Sequence, residues 1–201
     1  MLITYSIRDG GKLLFAESYL PTNEADALHA TLLEATPWKR EGSPSREFPR
    51  LTAWYADPGL TYAYSGVVHR AIPWTPTLLA IKERAESSAE TSWNSLLLNL
   101  YRDGSDSIGF HADNEPELGE DPIVGSVSFG ATRRFILKHS ATGEKLEFAL
   151  GHGSLLVMAG TCQHFWKHSV PKTKKPVGTR INLTFRKVVP AKSNRMSEHT
   201  T

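Results

Sequence analysis

Thr179-Arg180-Ile181-Asn182-Leu183-Thr184-Phe185-Arg186-Lys187 alternates between polar and apolar residues along most of its length. Side chains of an extended chain point to opposite faces with period two. Ile181, Leu183 and Phe185 therefore share one face, and Arg180, Asn182, Thr184 and Arg186 share the other. The apolar face predicts packing on a core. The polar face carries two guanidiniums, roughly 20 Å apart along an extended strand. Inside a β structure such arginines need anionic partners, because burying a charge unpaired is expensive. Arginine also forms the paired, charge-assisted fork that suits a carboxylate. A dicarboxylate small molecule is one candidate partner.

Ser95-Leu96-Leu97-Leu98-Asn99-Leu100-Tyr101 repeats the pattern, with Asn99 and Tyr101 on one face and Leu96, Leu98 and Leu100 on the other. Either Asn99 and Tyr101 point inward to orient a ligand, or they cap the loop Arg102–Asp106 that follows. Further strand-like runs at 123–130, 133–138, 145–150 and 153–159 are divided by Gly, Asp or Pro, with Thr142-Gly143 and Gly151-His152-Gly153 as tight turns. Upstream, Leu13–Leu20 predicts a strand. A helix capped at Thr22 or Asn23 follows, with Ala25, Leu28, Leu32 and Ala35 on one face. Glu41–Arg50 predicts a loop. Thr52–Ala56 and Leu60–Ser65 predict a hairpin across the turn Asp57-Pro58-Gly59, and Thr75-Pro76 opens a second helix running to about Ser88.

Two helices followed by many short strands predict an α+β fold that is mainly β, a double-sheet roll with the helices supporting one sheet. Residues 1–94 form an N-terminal extension with two helices and an aromatic-bearing hairpin, and residues 95–189 the β core. The two are expected to integrate into one domain over 13–189, with a disordered tail at 190–201.

Composition narrows the class. The chain has 201 residues, 40% hydrophobic and 22% charged, as in ordinary globular proteins. No apolar run reaches the ~20 residues of a membrane span. Met1–Tyr5 lacks the flank of a secretory signal, and a single cysteine, Cys162, excludes an internal disulfide. A reducing cytosol is the expected compartment, or the nucleus if the source is eukaryotic, and a monomer the expected state. Residues 148–197 hold nine of the 23 Lys and Arg and none of the 21 Asp and Glu. That skew fits a polyanionic partner or a solvated basic surface.

His111-Ala112-Asp113 and the later His168 supply two imidazoles and one carboxylate, the ligand set of the facial triad that holds non-haem Fe(II) and leaves positions open for oxygen. Spacing by two lets one strand end present both His111 and Asp113. An H-x-D alone is weak, and its partners carry the argument.

Taken together, Asn99–Gly104, Ile108–Glu115, Ser126–Gly130, His168-Ser169-Val170-Pro171 and Arg180–Arg186 resemble the AlkB family. These are iron- and 2-oxoglutarate-dependent dioxygenases that remove alkyl groups from nucleic-acid bases. Pro49-Arg50 and Gly59–Gly66 are similar to segments of the DNA-acting branch, and the likeness spans about residues 13–188. It implies a double-stranded β-helix, or jelly roll, with an N-terminal substrate-recognition lid. It implies iron held by His111, Asp113 and His168, with 2-oxoglutarate and O2 as cosubstrates. Arg180 would pair with the distal carboxylate of 2-oxoglutarate and Arg186 with the end that chelates iron, while Asn99, Tyr101 and Asn182 add contacts.

On the substrate side, Glu115 would meet the target base, and Tyr62, Tyr64 and Ser65 would form the lid, with Tyr64 stacking on a flipped base. Arg50 and Arg102, with Lys172, Lys174 and Lys175, would reach phosphates. The implied reaction is direct reversal of N1-methyladenine and N3-methylcytosine damage in DNA, single- or double-stranded, releasing formaldehyde, succinate and CO2. Etheno adducts are further candidates, and RNA, a protein or a small molecule is the alternative substrate. Members adapted to duplexes carry an apolar finger before Pro49-Arg50. Here that loop is Glu41–Glu47 with only Phe48 nearby, so duplex preference does not follow.

The remaining conspicuous residues read as structural. His164 is expected to be a non-ligand, and His69, His139 and His152 turn residues rather than ligands. Cys162 is expected to be a buried thiol and Trp54, Trp74 and Trp93 packing residues. Trp166 either flanks the pocket or packs beneath the strand bearing His168.

Overall fold

The protein is described by a computed structural model covering residues 1–43, 46–64 and 67–189. Along the chain run β1 (Ile3–Ser6), β2 (Gly11–Ala16), α1 (Thr22–Ala35), β3 (Lys39–Ser43), β4 (Arg46–Ala56), β5 (Thr61–Tyr64) and β6 (Val67–Arg70). Then come α2 (Pro76–Ala89), β7 (Ser95–Tyr101), β8 (Ile108–His111), β9 (Val124–Gly130), β10 (Arg133–His139) and β11 (Lys145–Leu150). The chain finishes with β12 (Ser154–Gly160), the single turn α3 (Cys162–Phe165), β13 (Trp166–Val170) and β14 (Arg180–Arg186).

An eight-stranded sheet has the order β1-β2-β12-β9-β14-β7-β4-β3, and a four-stranded sheet the order β11-β10-β13-β8. A separate two-stranded ribbon pairs β5 with β6. The fold is the expected mainly β double-sheet roll. β1 to β4, from the N-terminal extension, lie in the same sheet as the strands of the core.

Two apolar layers hold it together. Leu96, Leu98 and Leu100 of β7 and Ile181, Leu183 and Phe185 of β14 face Ala25 and Leu32 of α1 and Leu78, Ile81 and Ala85 of α2. Leu13, Phe135, Leu137, Leu156, Met158 and Trp166 fill the space between the two sheets. Both faces of β14 are therefore buried, and its polar face is enclosed between the sheets rather than solvated. β9 comes so close to Trp93 that a Cβ at Gly125 would meet the indole at 2.5 Å.

Four local expectations change. Glu41–Ser43 and Arg46–Arg50 are strand rather than loop: β3 pairs with β4 there, with Arg40 and Glu47 forming an ion pair of 2.8 Å. Polarity suggested a loop, but an edge hairpin needs no apolar face. Thr52–Ala56 does not form a hairpin with Leu60–Ser65. β4 continues through it and pairs with β7, where Ala53 and Tyr55 join the core under the helices, while β5 turns back on β6. β2 stops at Ala16, because the N–H groups of Tyr19 and Leu20 both donate to Gly153 O, at 2.9 and 3.0 Å. The cap of α1 is Pro21, whose carbonyl accepts from Ala25 N at 2.9 Å, rather than Thr22 or Asn23. Proline lacks the N–H that would go unpaired there, so it suits a helix start.

β8 and β13, which present the histidines, were not anticipated as full strands. The expected tail at 190–201 and Ser65 lie outside the described residues, as do the side chains of Tyr62, Tyr64 and His69. No described helix is long and apolar enough to cross a membrane.

Candidate active site

The site lies between the sheets. β8 and β13 pair so that His111 is directly opposite His168, with their ring centroids 4.2 Å apart. Asp113 stands two residues past the end of β8 and brings its carboxylate beside them, Oδ2 lying 3.8 Å from His168 Nε2. Among the described residues these three form the one group of His, Cys, Asp or Glu side chains that could hold a metal, with ligand atoms within 4.8 Å of one another.

Each member is held in a state fit for that task. His111 Nδ1 lies 2.9 Å from Gly109 O, and a carbonyl only accepts. In the neutral ring Nδ1 therefore carries the proton, and Nε2 keeps its lone pair. His168 is buried against Phe135, the rings 5.4 Å apart and nearly parallel. Burial, reinforced by His111 and only partly offset by Asp113, brings its pKa down to about 3, so it is neutral. Burial alone would push Asp113 up. Arg186 and both imidazoles outweigh it and bring the carboxyl down to about 2, so it is ionised. Arg186 Nη2 donates to Asp113 Oδ1 at 2.8 Å, while Oδ2 has no hydrogen-bond partner among the described residues. A first-row transition-metal dication is the natural complement of two imidazole nitrogens and a carboxylate oxygen.

The large sheet supplies the rest. Register aligns Thr52, Asn99, Asn182, Ser128 and Ser154 in one polar row across five strands. From that row Asn99 and Asn182, together with Tyr101, Arg180 and Arg186, border about 460 Å³ of empty space, including its mouth, that also reaches His111 and His168. Arg180 is 1% exposed. Its Nη2 donates to Ser128 Oγ at 2.9 Å and its guanidinium lies over the Tyr101 ring at 5.0 Å, but Nε and Nη1 have no hydrogen-bond partner among the described residues. A buried guanidinium with an unmet edge fits a carboxylate, which would accept both free N–H groups. The triad thus fits a metal ion and the Arg180 guanidinium fits a carboxylate.

Other expected residues divide. Asn99 and Asn182 border the cavity, yet protein groups already use much of their hydrogen bonding. Asn99 Oδ1 accepts from Arg50 Nε at 2.6 Å, and Asn182 Nδ2 donates to Ser126 Oγ at 2.8 Å. Arg186 reaches Asp113 rather than standing ready only for the keto acid.

Arg50 is 2% exposed and turned inward, so a surface phosphate contact is not its position. The alternation of β4 puts it on the face of Thr52. Arg102 forms a bidentate pair with Asp106, both bonds 2.8 Å, which offsets the charge it would offer a phosphate. Lys172, Lys174 and Lys175 are exposed. Glu115 is half-buried, and its Oε2 has no hydrogen-bond partner among the described residues.

His164 pairs with Asp121 at the surface, 2.9 Å away, and His139 with Asp9. His152 accepts from Gly130 N at 2.8 Å as part of its turn. Trp166 opens β13 itself, two residues before His168, where it is buried in the inter-sheet core and donates to Arg8 O at 3.2 Å. Cys162 is buried, which pushes its thiol up to about 12 and leaves it unreactive.

Three contributors had escaped notice. Ser126 and Ser128 alternate with Val127 and Phe129 as Asn182 and Thr184 do with Leu183, so the same pattern could have found them. Arg133 had no such signal. It is buried and donates to the carbonyls of Asp103, Asp106 and Pro171 at 2.9, 2.9 and 2.7 Å, tying the loop after β7 to the one after His168.

Known proteins agree with this geometry. Residues 12–186 match the 2OG-Fe(II) oxygenase superfamily. The chain is 39% identical over 193 residues to the bovine alpha-ketoglutarate-dependent dioxygenase alkB homolog 3, covering 89% of this chain and 67% of that protein. It is 41% identical over 152 residues to the mouse DNA oxidative demethylase ALKBH2, covering 72% of this chain and 64% of that protein. It therefore spans about two thirds of the length of these relatives. The solved structure of OsALKBH1 shares the fold, with a TM-score of 0.64 at 18% identity, covering 92% of this chain and 100% of that one. Joined to two imidazoles, a carboxylate and an unmet guanidinium in one cavity, these likenesses mean that the chain belongs to the 2OG-Fe(II) oxygenase superfamily and, within it, to the AlkB family.

Proposed function

We propose that the protein removes alkyl groups oxidatively from damaged nucleic-acid bases, N1-methyladenine and N3-methylcytosine above all, with etheno adducts as further substrates. The observation that carries the reading is the convergence of His111, Asp113 and His168 on a cavity bordered by Arg180 with its unmet N–H groups. The kind of substrate follows the mouse relative, which is named for DNA oxidative demethylation. When bound, Fe(II) and 2-oxoglutarate supply, with O2, the oxidation that hydroxylates an N-alkyl carbon, the co-products being succinate and CO2 and a methyl group leaving as formaldehyde.

The residues of the chain provide the setting. His111 and His168 offer ring nitrogens, and Asp113 stays ionised while Arg186 steadies its second oxygen. Arg180 holds the distal carboxylate of the keto acid through Nε and Nη1. Leu97, Ile108, Phe135, Met158 and Val170 give the cavity an apolar lining that limits water. Glu115 has a buried carboxylate oxygen to offer a base made cationic by methylation. Such a base is blocked on its pairing edge and leaves the stack more cheaply than a paired one. Tyr62 and Tyr64 of β5 are proposed to cover it. Single-stranded nucleic acid is the proposed preferred form, since Glu41–Glu47 has no bulky apolar side chain to fill a gap in a duplex.

Mass spectrometry of oligonucleotides bearing each lesion, single- and double-stranded, tests this with added Fe(II) and 2-oxoglutarate. Loss of the methyl mass is expected for the wild type and not for His111→Ala. Intact lesions alongside turnover of a peptide or small molecule would overturn the substrate class.

A further inference from the structure

Asp113 is the one member of the triad that no strand holds. β8 ends at His111, and the backbone N–H of Asp113 takes part in no ladder. That N–H donates instead to Gln163 Oε1, at 3.0 Å. Gln163 sits on α3 and is 1% exposed, so water cannot replace it. Its Nε2 faces only Met158 Sδ at 3.6 Å, a weak acceptor. The strong bond of this buried amide is therefore the one to Asp113. Five residues later the same segment presents His168.

We infer that Gln163 is a positioning residue for the metal centre, fixing the backbone of Asp113 so that its carboxylate meets His111 and His168. The segment Gln163–His168 then supplies one donor and the brace of another, while Arg186 steadies the same carboxylate from the opposite sheet. The inference rests on reading His111, Asp113 and His168 as metal ligands and is independent of the substrate. Partners that orient a ligand typically account for 10- to 100-fold in metal affinity.

The test titrates metal-free protein with Cu(II), which binds such sites more tightly than Fe(II). The counted signal is the part that His111→Ala removes. Gln163→Met keeps the length of the side chain and loses the acceptor. It is expected to weaken Cu(II) binding by about 10- to 100-fold in the wild-type background. In an Asp113→Ala background it should have no further effect, because it acts only through that residue. An undiminished affinity, or an equal loss in both backgrounds, would overturn the inference.

Hydrogen exchange provides an arm that needs no metal. The Asp113 amide should exchange slowly in wild type and much faster in Gln163→Met, with the Leu137 amide as an unchanged control. Rapid exchange at Asp113 in wild type overturns the role of Gln163 even if the site binds metal. A wild type that takes up no Cu(II) at the His111-dependent site, with Asp113 still protected, overturns the triad reading instead.

Discussion

Arg186 Nη2 lies 2.8 Å from Asp113 Oδ1, and the two side chains are 8% and 1% exposed, so β14 of the large sheet grips a carboxylate of the candidate metal centre. Removing one member of a buried pair leaves the other charged and desolvated, at a cost of about 3 to 5 kcal/mol. Arg186→Met is expected to lower the urea-unfolding free energy of metal-free protein by about that amount. Excess Mn(II) should recover part of the loss, because a bound dication supplies the missing counter-charge. An unaltered unfolding midpoint would mean the pair contributes nothing.

Stability of the metal-free protein should depend on pH through the same cluster. Folded His168 stays unprotonated down to about 3, whereas an unfolded histidine takes a proton near the ordinary 6.5. Between those values the unfolded chain binds more protons. This contribution is therefore full above about pH 6.5 and declines as pH falls. Asp113, held to about 2, adds a loss of the same sign below its ordinary 3.8. Thermal melts in EDTA from pH 8 to 4 should show a falling midpoint, and a shallower fall in His168→Gln. Equal slopes in the two proteins would contradict the assignment.

Arg180 should show opposite effects on ligand binding and on stability. Arg180→Met removes the proposed carboxylate clamp and should raise the half-saturating 2-oxoglutarate concentration at least ~30-fold, about 2 kcal/mol. The same change deletes a buried charge with two unmet N–H groups. Ligand-free stability should therefore hold or rise. Calorimetric titration and thermal melts read the two effects separately, and a destabilised variant with unaltered 2-oxoglutarate affinity would be incompatible with this role.

Gly125 offers a purely steric test. A Cβ there would meet Trp93 at 2.5 Å, and that ring is fixed by stacking on Phe185 and by donation to Ile123 O at 2.7 Å. Gly125→Ala is expected to cost about 1 to 3 kcal/mol of stability through overpacking. Pairing it with Trp93→Phe should restore part of that loss in chemical denaturation.

Much of the site was legible because it is written in strand alternation. β14 has strict period two and β7 follows it from Leu98 onward, so Arg180, Asn182 and Arg186 could be grouped on one face from spacing, while spacing left open whether Asn99 and Tyr101 turn inward or cap the next loop. The metal donors were legible as a residue set with known chemistry. What stayed hidden is what depends on tertiary register. β3 and β4 are too polar to announce themselves, because an edge hairpin buries little. The inward turn of Arg50 follows from β4 pairing with β7, which no local pattern encodes. Gln163 is a single amide on one helical turn, with no periodicity to single it out, and Arg133 works through backbone carbonyls that any sequence would offer.

His111 and His168 are mounted on the four-stranded layer and Arg180 on the eight-stranded one, so the reach from metal to clamp is gauged by whatever is wedged between the layers. Leu13 and Leu156, which do not line the cavity, thus act as a calibrated spacer as well as a core. Trimming one of them by a methylene or two would shift the fit of the keto acid while leaving every polar group of the site intact, so substrate handling could be retuned from positions that touch neither ligand.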